Sequence, residues 1–172
     1  MRKQKGFSLI ELLIVVVIIL IIAAIAIPNL LRARISANES SAASIVRTLN
    51  TAEVSYVTAY PSVGYSLSMA KLGAAAANPC VPSSASACLI DDTLATTGGT
   101  SGKSGYLFAV TGAPGAGGGT ANGTYVATAT PSAKGSSGVN SFCSIEDAVV
   151  RKDSAGATAN YAGCPGLPSL GN

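Results

Sequence analysis

From Phe7 to Ile27 the chain runs for 21 residues with only two polar side chains, Ser8 and Glu11. A helix needs about 20 apolar residues to cross a bilayer, so this run constrains the rest of the chain more than any other feature. A lone carboxylate in such a helix costs about 2.5–3.5 kcal/mol at its centre and less toward an end. An acid kept at that cost is functional by default, and its partner has to be found. Before the run stand Arg2, Lys3 and Lys5; beyond it the next cations are Arg32 and Arg34. The cationic leader places the amino terminus in the cytoplasm and the residues after Pro28 outside. Ala24-Ile25-Ala26 fits the small-residue cleavage pattern of a secretory signal, but the apolar run is too long for a signal core and the helical pattern continues past Pro28.

The segment KGFSLIELLIVVVIILIIAAIAIPNL resembles the amino terminus of a type IV pilin precursor, a class shared with type II secretion pseudopilins. Gly6, Phe7, Glu11 and Pro28 fall where that family has them, and the resemblance covers about residues 1–35. It implies that a prepilin peptidase removes residues 1–6 by cutting between Gly6 and Phe7, then methylates the new amine of Phe7. It also implies an α+β pilin fold, in which a long helix packs on a small antiparallel sheet. Leu20 stands where many family members carry glycine, which bears on how far the helix loosens between there and Pro28.

The chemistry of that residue set can be argued separately. Cutting after Gly6 leaves an ammonium on Phe7, one helical turn from Glu11. If chains slide together axially, the carboxylate of one meets the ammonium of its neighbour. Removing one member of a buried ion pair costs on the order of 3–5 kcal/mol, so such a pair fixes axial register. The bland alternative is a carboxylate that snorkels to lipid headgroups.

Composition agrees with an exported structural subunit. The chain has 172 residues and formal net charge +3. Three of its 11 basic residues lie in the leader, which leaves 8 basic against 8 acidic side chains after processing. That balance argues against a dedicated nucleic-acid site, which shows a basic patch.

Beyond Pro28, where a kink is expected, Ile35, Ala42, Ile45, Leu49, Ala52 and Tyr56 recur at helical spacing and form an apolar stripe. Ser36, Asn38, Ser40, Ser44, Arg47 and Thr51 occupy the other face. The spacing predicts one helix from Phe7 to about Thr58, roughly 78 Å long. The globular head follows from residue 59. Residues 59–103 read as loops with one helical turn near 67–72. Strands are predicted over 105–111, 123–130 and 140–152, the last breaking at Glu146-Asp147, as an antiparallel meander. The tail after 153 reads as irregular.

Four cysteines, Cys80, Cys88, Cys143 and Cys164, lie on the outward side of the anchor, where disulfides persist. Three connectivities are open. Pairing sequence neighbours, Cys80 with Cys88 and Cys143 with Cys164, is favoured because each bond then staples a loop with no core of its own. The second pair also resembles the carboxy-terminal disulfide-bounded loop of many pilins. Zinc is disfavoured by the lack of CxxC spacing and of any histidine. Without histidine there is no ordinary nucleophile–base system either. The adjacent acids Asp91-Asp92 and Glu146-Asp147 read as solvated, with no EF-hand spacing. Gly98-Gly99 and 115–119 match no phosphate loop. No cofactor, metal or enzyme activity is expected.

The expected function is a structural subunit, a major pilin, polymerising through the 7–27 helix into a surface filament for adhesion, twitching or DNA uptake. Its expected partners are copies of itself, the inner membrane before assembly, the prepilin peptidase and the pilus assembly machinery. The alternative is a pseudopilin or minor pilin, a low-copy part of a secretion or assembly machine.

Overall fold

The structure, a computed structural model, describes residues 6–74, 79–113, 121–157 and 160–171. Arg2, Lys3, Lys5 and the glycine run 115–119 lie outside the described residues. Two compact units divide at residue 34, Met1–Arg34 and Ile35–Asn172.

Helix α1 (Leu9–Ala59) begins in the first unit and runs on into the second, with Pro28 inside it. No glycine occurs between Phe7 and Val63, and Pro28 is its only proline, so little in the sequence interrupts it. It stops just before Tyr60, the residue that precedes Pro61, where a following proline disfavours helical backbone. In the first unit its large apolar side chains are exposed throughout. The segment is long and apolar enough to span a membrane, with a mean hydropathy of 3.4 in its most apolar window.

The second unit is an α+β head. Its sheet is an antiparallel meander in the order β1 (Tyr106–Ala113), β2 (Thr124–Pro131), β3 (Ser141–Ile145) and β4 (Arg151–Asp153). The third predicted strand breaks at Glu146-Asp147 and supplies both β3 and β4. One face of the sheet carries Tyr106, Phe108, Val110, Tyr125, Ala127, Ala129 and Phe142, and these share a core with the head portion of α1. Register explains the small residues of β2, since Ala129 stands opposite both Phe108 and Phe142. A larger side chain there would collide with two rings at once.

The stripe of α1 differs in part from the sequence reading. Ala42, Leu49, Ala52 and Tyr56 are buried as expected, but Ile45 is only half-buried. Ala43, Val46, Asn50 and Glu53 are buried as well. A reading by hydropathy passes over Asn50 and Glu53 because it scores polarity, whereas burial depends on whether the polar atoms find partners.

Helix α2 (Met69–Leu72) is the expected turn near 67–72, and α3 (Asp92–Thr97) was not expected. Asp91 caps α3 by accepting from the Leu94 amide at 2.8 Å, a local signal that its threonines obscured. The tail is less irregular than the sequence suggests. Lys152 donates its amide to Pro168 and Leu170 donates to Val150, so the tail runs back along the edge of β4.

Candidate functional site

Glu11 sits in the first turn of α1. Its Oε2 accepts the backbone N–H of Ser8 at 2.9 Å, while the Ser8 carbonyl accepts the amides of Glu11 and Leu12. This is half of a capping box, in which the acid three residues into the helix reaches back to the capping residue's amide. The Ser8-x-x-Glu11 spacing is visible in the sequence, and the sequence reading overlooked it. Glu11 is thus partly satisfied by its own backbone, and its second oxygen bonds nothing among the described residues. Gly6 and Phe7 precede the helix and are exposed, Phe7 at 81%. A peptide bond held outside regular structure can enter an enzyme cleft without unwinding a helix first. Leu20, Arg32 and Arg34 are also exposed.

Both disulfides join sequence neighbours, Cys80 to Cys88 and Cys143 to Cys164. Cys143 and Cys164 are buried with Val126 and Ile145 in a second, smaller core, against which Tyr161 and Leu167 pack. This cluster lies on the sheet face opposite α1, since Val126 and Cys143 alternate with Tyr125 and Phe142 along their strands. The tail therefore covers the outer face, and one bond fastens it there.

A buried carboxylate that the sequence reading missed holds the top of the head. Glu53, 0% exposed, accepts the Ser66 amide at 2.8 Å on one oxygen and the Ser66 hydroxyl on the other. The Ser66 segment is placed by Gly64, whose φ of +79° is left-handed and where a Cβ would come within 2.2 Å of the Asn122 carbonyl. Asn122 then bonds both sides of that turn, through Val63 and Tyr65. Burial raises the Glu53 pKa above its ordinary value, against the two hydrogen bonds from Ser66. Its position one place after Ala52 in the buried stripe was the available signal. One turn earlier, Asn50 donates to the Ser144 hydroxyl at 2.8 Å and accepts from the Tyr125 hydroxyl at 3.1 Å, tying helix to sheet.

The surface acids have structural partners. Asp91 accepts from the Thr93 hydroxyl and the Leu94 amide and pairs with Lys103 at 3.1 Å, which holds its pKa at about 2. Asp147 pairs with Arg151, and Tyr161 donates to Glu146. Glu39 accepts from the Val139 and Asn140 amides and from the Asn140 side chain, latching α1 to the turn before β3. Among the described residues no three acids or cysteines come together as a metal site.

A long helix, apolar in its first half and packed in its second on a small antiparallel sheet, is a pilin-like layout. Residues 1–27 match the family described as the prokaryotic N-terminal methylation motif. The chain is also 65% identical over 40 residues to the type IV wide pilus major component PilA4 of Thermus thermophilus, a match covering 23% of this chain and 30% of that protein. No solved structure matches the chain at a significant level. The amino-terminal segment is thus similar to that of a type IV pilin precursor.

Proposed function

We propose that this protein is a structural subunit of a type IV pilus. It waits in the inner membrane as a precursor and polymerises through its apolar helix into a surface filament serving adhesion, twitching or DNA uptake. The observation that carries this reading is the placement of Glu11, the only charged residue from Phe7 to Ile27, in the first helical turn beside an exposed Gly6–Phe7 bond. Cleavage there creates an ammonium at Phe7, which the peptidase then methylates. The amine stays basic and charged after methylation.

The capping bond gives the assembly step a physical course. In the membrane-held subunit the Ser8 amide takes up part of the carboxylate's demand, which lowers the cost of keeping Glu11 in an apolar segment. An incoming subunit then offers the second oxygen a full positive charge from its own Phe7. A charge-assisted bond is roughly twice as strong as a neutral one, so the pair forms only when two subunits are in axial register. Pro28 supplies a point where the helix bends as it leaves the membrane for the filament.

The test is Glu11→Ala with sheared surface fractions as the readout. Loss of filaments while the precursor is still cleaved and membrane-held is the expected result. Normal filament yield from the variant removes the basis of the proposal.

A further inference from the structure

The head carries a groove lined by two cations that form no ion pair among the described residues. Three adjoining hollows of about 330, 440 and 380 Å³ lie between the outer face of α1 and the β3–β4 turn, β4 and the tail, and Arg47 lines all three. Arg47 makes no hydrogen bond through its guanidinium and no ion pair among the described residues. Lys152 lines the same groove; it is near enough to Glu39 to lower that acid's pKa but is not bonded to it. Glu39 itself is occupied by three donors from the turn before β3. The far wall is built around Ala148, which holds a left-handed φ of +57° although it is not glycine. Backbone strain of this kind persists only where the surroundings enforce it. Here the Ala148 carbonyl accepts from the buried Asn50 side chain, so the wall is anchored to the core. The exposed rim is apolar at Val54 and Val149.

The complementary group is on the same chain. Glu39, Glu53, Asp91, Glu146, Asp147 and Asp153 each accept a hydrogen bond. Asp92, exposed on the first turn of α3, is the one acid of the described head whose carboxylate accepts none. A surface patch and its complement at a different place on the same subunit make a head-to-tail contact that propagates into a helical polymer.

We infer that the Arg47–Lys152 groove receives Asp92 of a second copy, forming a heterologous contact from one globular unit to the next along the filament. This rests on the polymer reading above and adds a second contact, independent of Glu11. Each such pair is weak in isolation, because exposed charges are screened. A filament repeats it at every subunit, and its value lies in selecting one rotational setting of each head against its neighbour.

Carbodiimide treatment of isolated native filaments tests the geometry directly, since it joins a carboxylate to an amine only when they touch. An Asp92–Lys152 cross-linked peptide is expected from filaments and not from the detergent-solubilised subunit. The double variant Arg47→Glu with Lys152→Glu is expected to lower sheared filament yield about tenfold, and adding Asp92→Lys to restore it. Because Lys152→Glu also sets a like charge near Glu39, a small fall in the head's thermal unfolding is expected, and recovery of filament yield by Asp92→Lys without recovery of that unfolding temperature separates assembly from folding. Full filament yield from the reversed groove, or a reversed groove that Asp92→Lys does not rescue, overturns the inference. Native cells without filaments of this chain would instead sink the polymer reading itself.

Discussion

The two units of this protein handle apolar surface in opposite ways. In residues 6–34 nearly every large side chain points outward, and the helix has no core to belong to. In the head, a helix of similar length and more polar composition buries one face against a sheet, and the sheet's other face is covered in turn by a disulfide-tied tail. The same element, α1, is apolar all round in one unit and one-sided in the other. A helix hydrophobic all round requires lipid or other helices. A one-sided helix can be completed by its own chain. Charge follows the same division. Glu11 meets one donor and has an oxygen left over, whereas Glu53, fully buried, meets two.

This contrast can be broken most severely at Glu11. Glu11→Ala is expected to abolish filaments, on the order of 3–5 kcal/mol per subunit contact, while leaving the head's unfolding temperature unchanged in detergent. Glu11→Gln should fall between, keeping the bond to the Ser8 amide but losing the charge. If either variant shifts the head's unfolding, the two units are not energetically separate.

Next in size is the tail. Replacing Cys143 and Cys164 by alanine removes a cross-link closing 21 residues, and about 3 kcal/mol of head stability should go with it. The loss is expected to exceed that from Cys80 and Cys88, whose loop is shorter and whose sulfurs are less buried. Thermal unfolding of both pairs in the full chain makes the comparison; a difference of no more than about 1 kcal/mol, which loop length alone gives, would mean the outer cluster adds nothing beyond loop closure.

Glu53 sharpens the contrast through pH. Its folded pKa is raised above 4.5 by burial, so its contribution to stability is complete below that value and is lost as pH rises through the folded pKa. Asp91 works in the other direction: held at about 2, it contributes above 3.8 and its contribution is lost as pH falls toward 2. The head should therefore gain stability from neutral pH down to about 4.5 and lose it further down. Glu53→Gln is expected to flatten the first limb and leave the second. A variant whose stability tracks the native chain across the whole range would show that Glu53 does not titrate as described.

The smallest effect belongs to the surface. Asp147→Asn breaks the pair with Arg151 on an exposed turn, and less than about 1 kcal/mol is expected from such a pair. A larger shift in unfolding temperature would mean that the turn also supports the Ala148 wall of the groove.

Much of this was legible in residue order. The long helix with its apolar first half, its acid, the strand alternation of Tyr106-Phe108-Val110 and the break at Glu146-Asp147 depend on local pattern, and local pattern is what a sequence displays. The S-x-x-E box was equally local and was overlooked only because Glu11 invites a search for a distant partner. The start of α3 at Asp91 was a local signal too, weakened by threonines that fit helix and strand alike.

What residue order determined by itself was the division of labour: an all-apolar helix that must find lipid or its own copies, followed by a chain with enough alternation and cysteine to close a head. Tertiary structure alone decided that Asn50 and Glu53 turn inward, that the tail lies on the outer face of the sheet, and that Arg47 and Lys152 share a groove while the Asp92 carboxylate accepts no hydrogen bond among the described residues. Those outcomes depend on which groups meet across long stretches of chain. A polar atom is tolerated inside, or left unmatched outside, according to neighbours that no spacing along the sequence encodes.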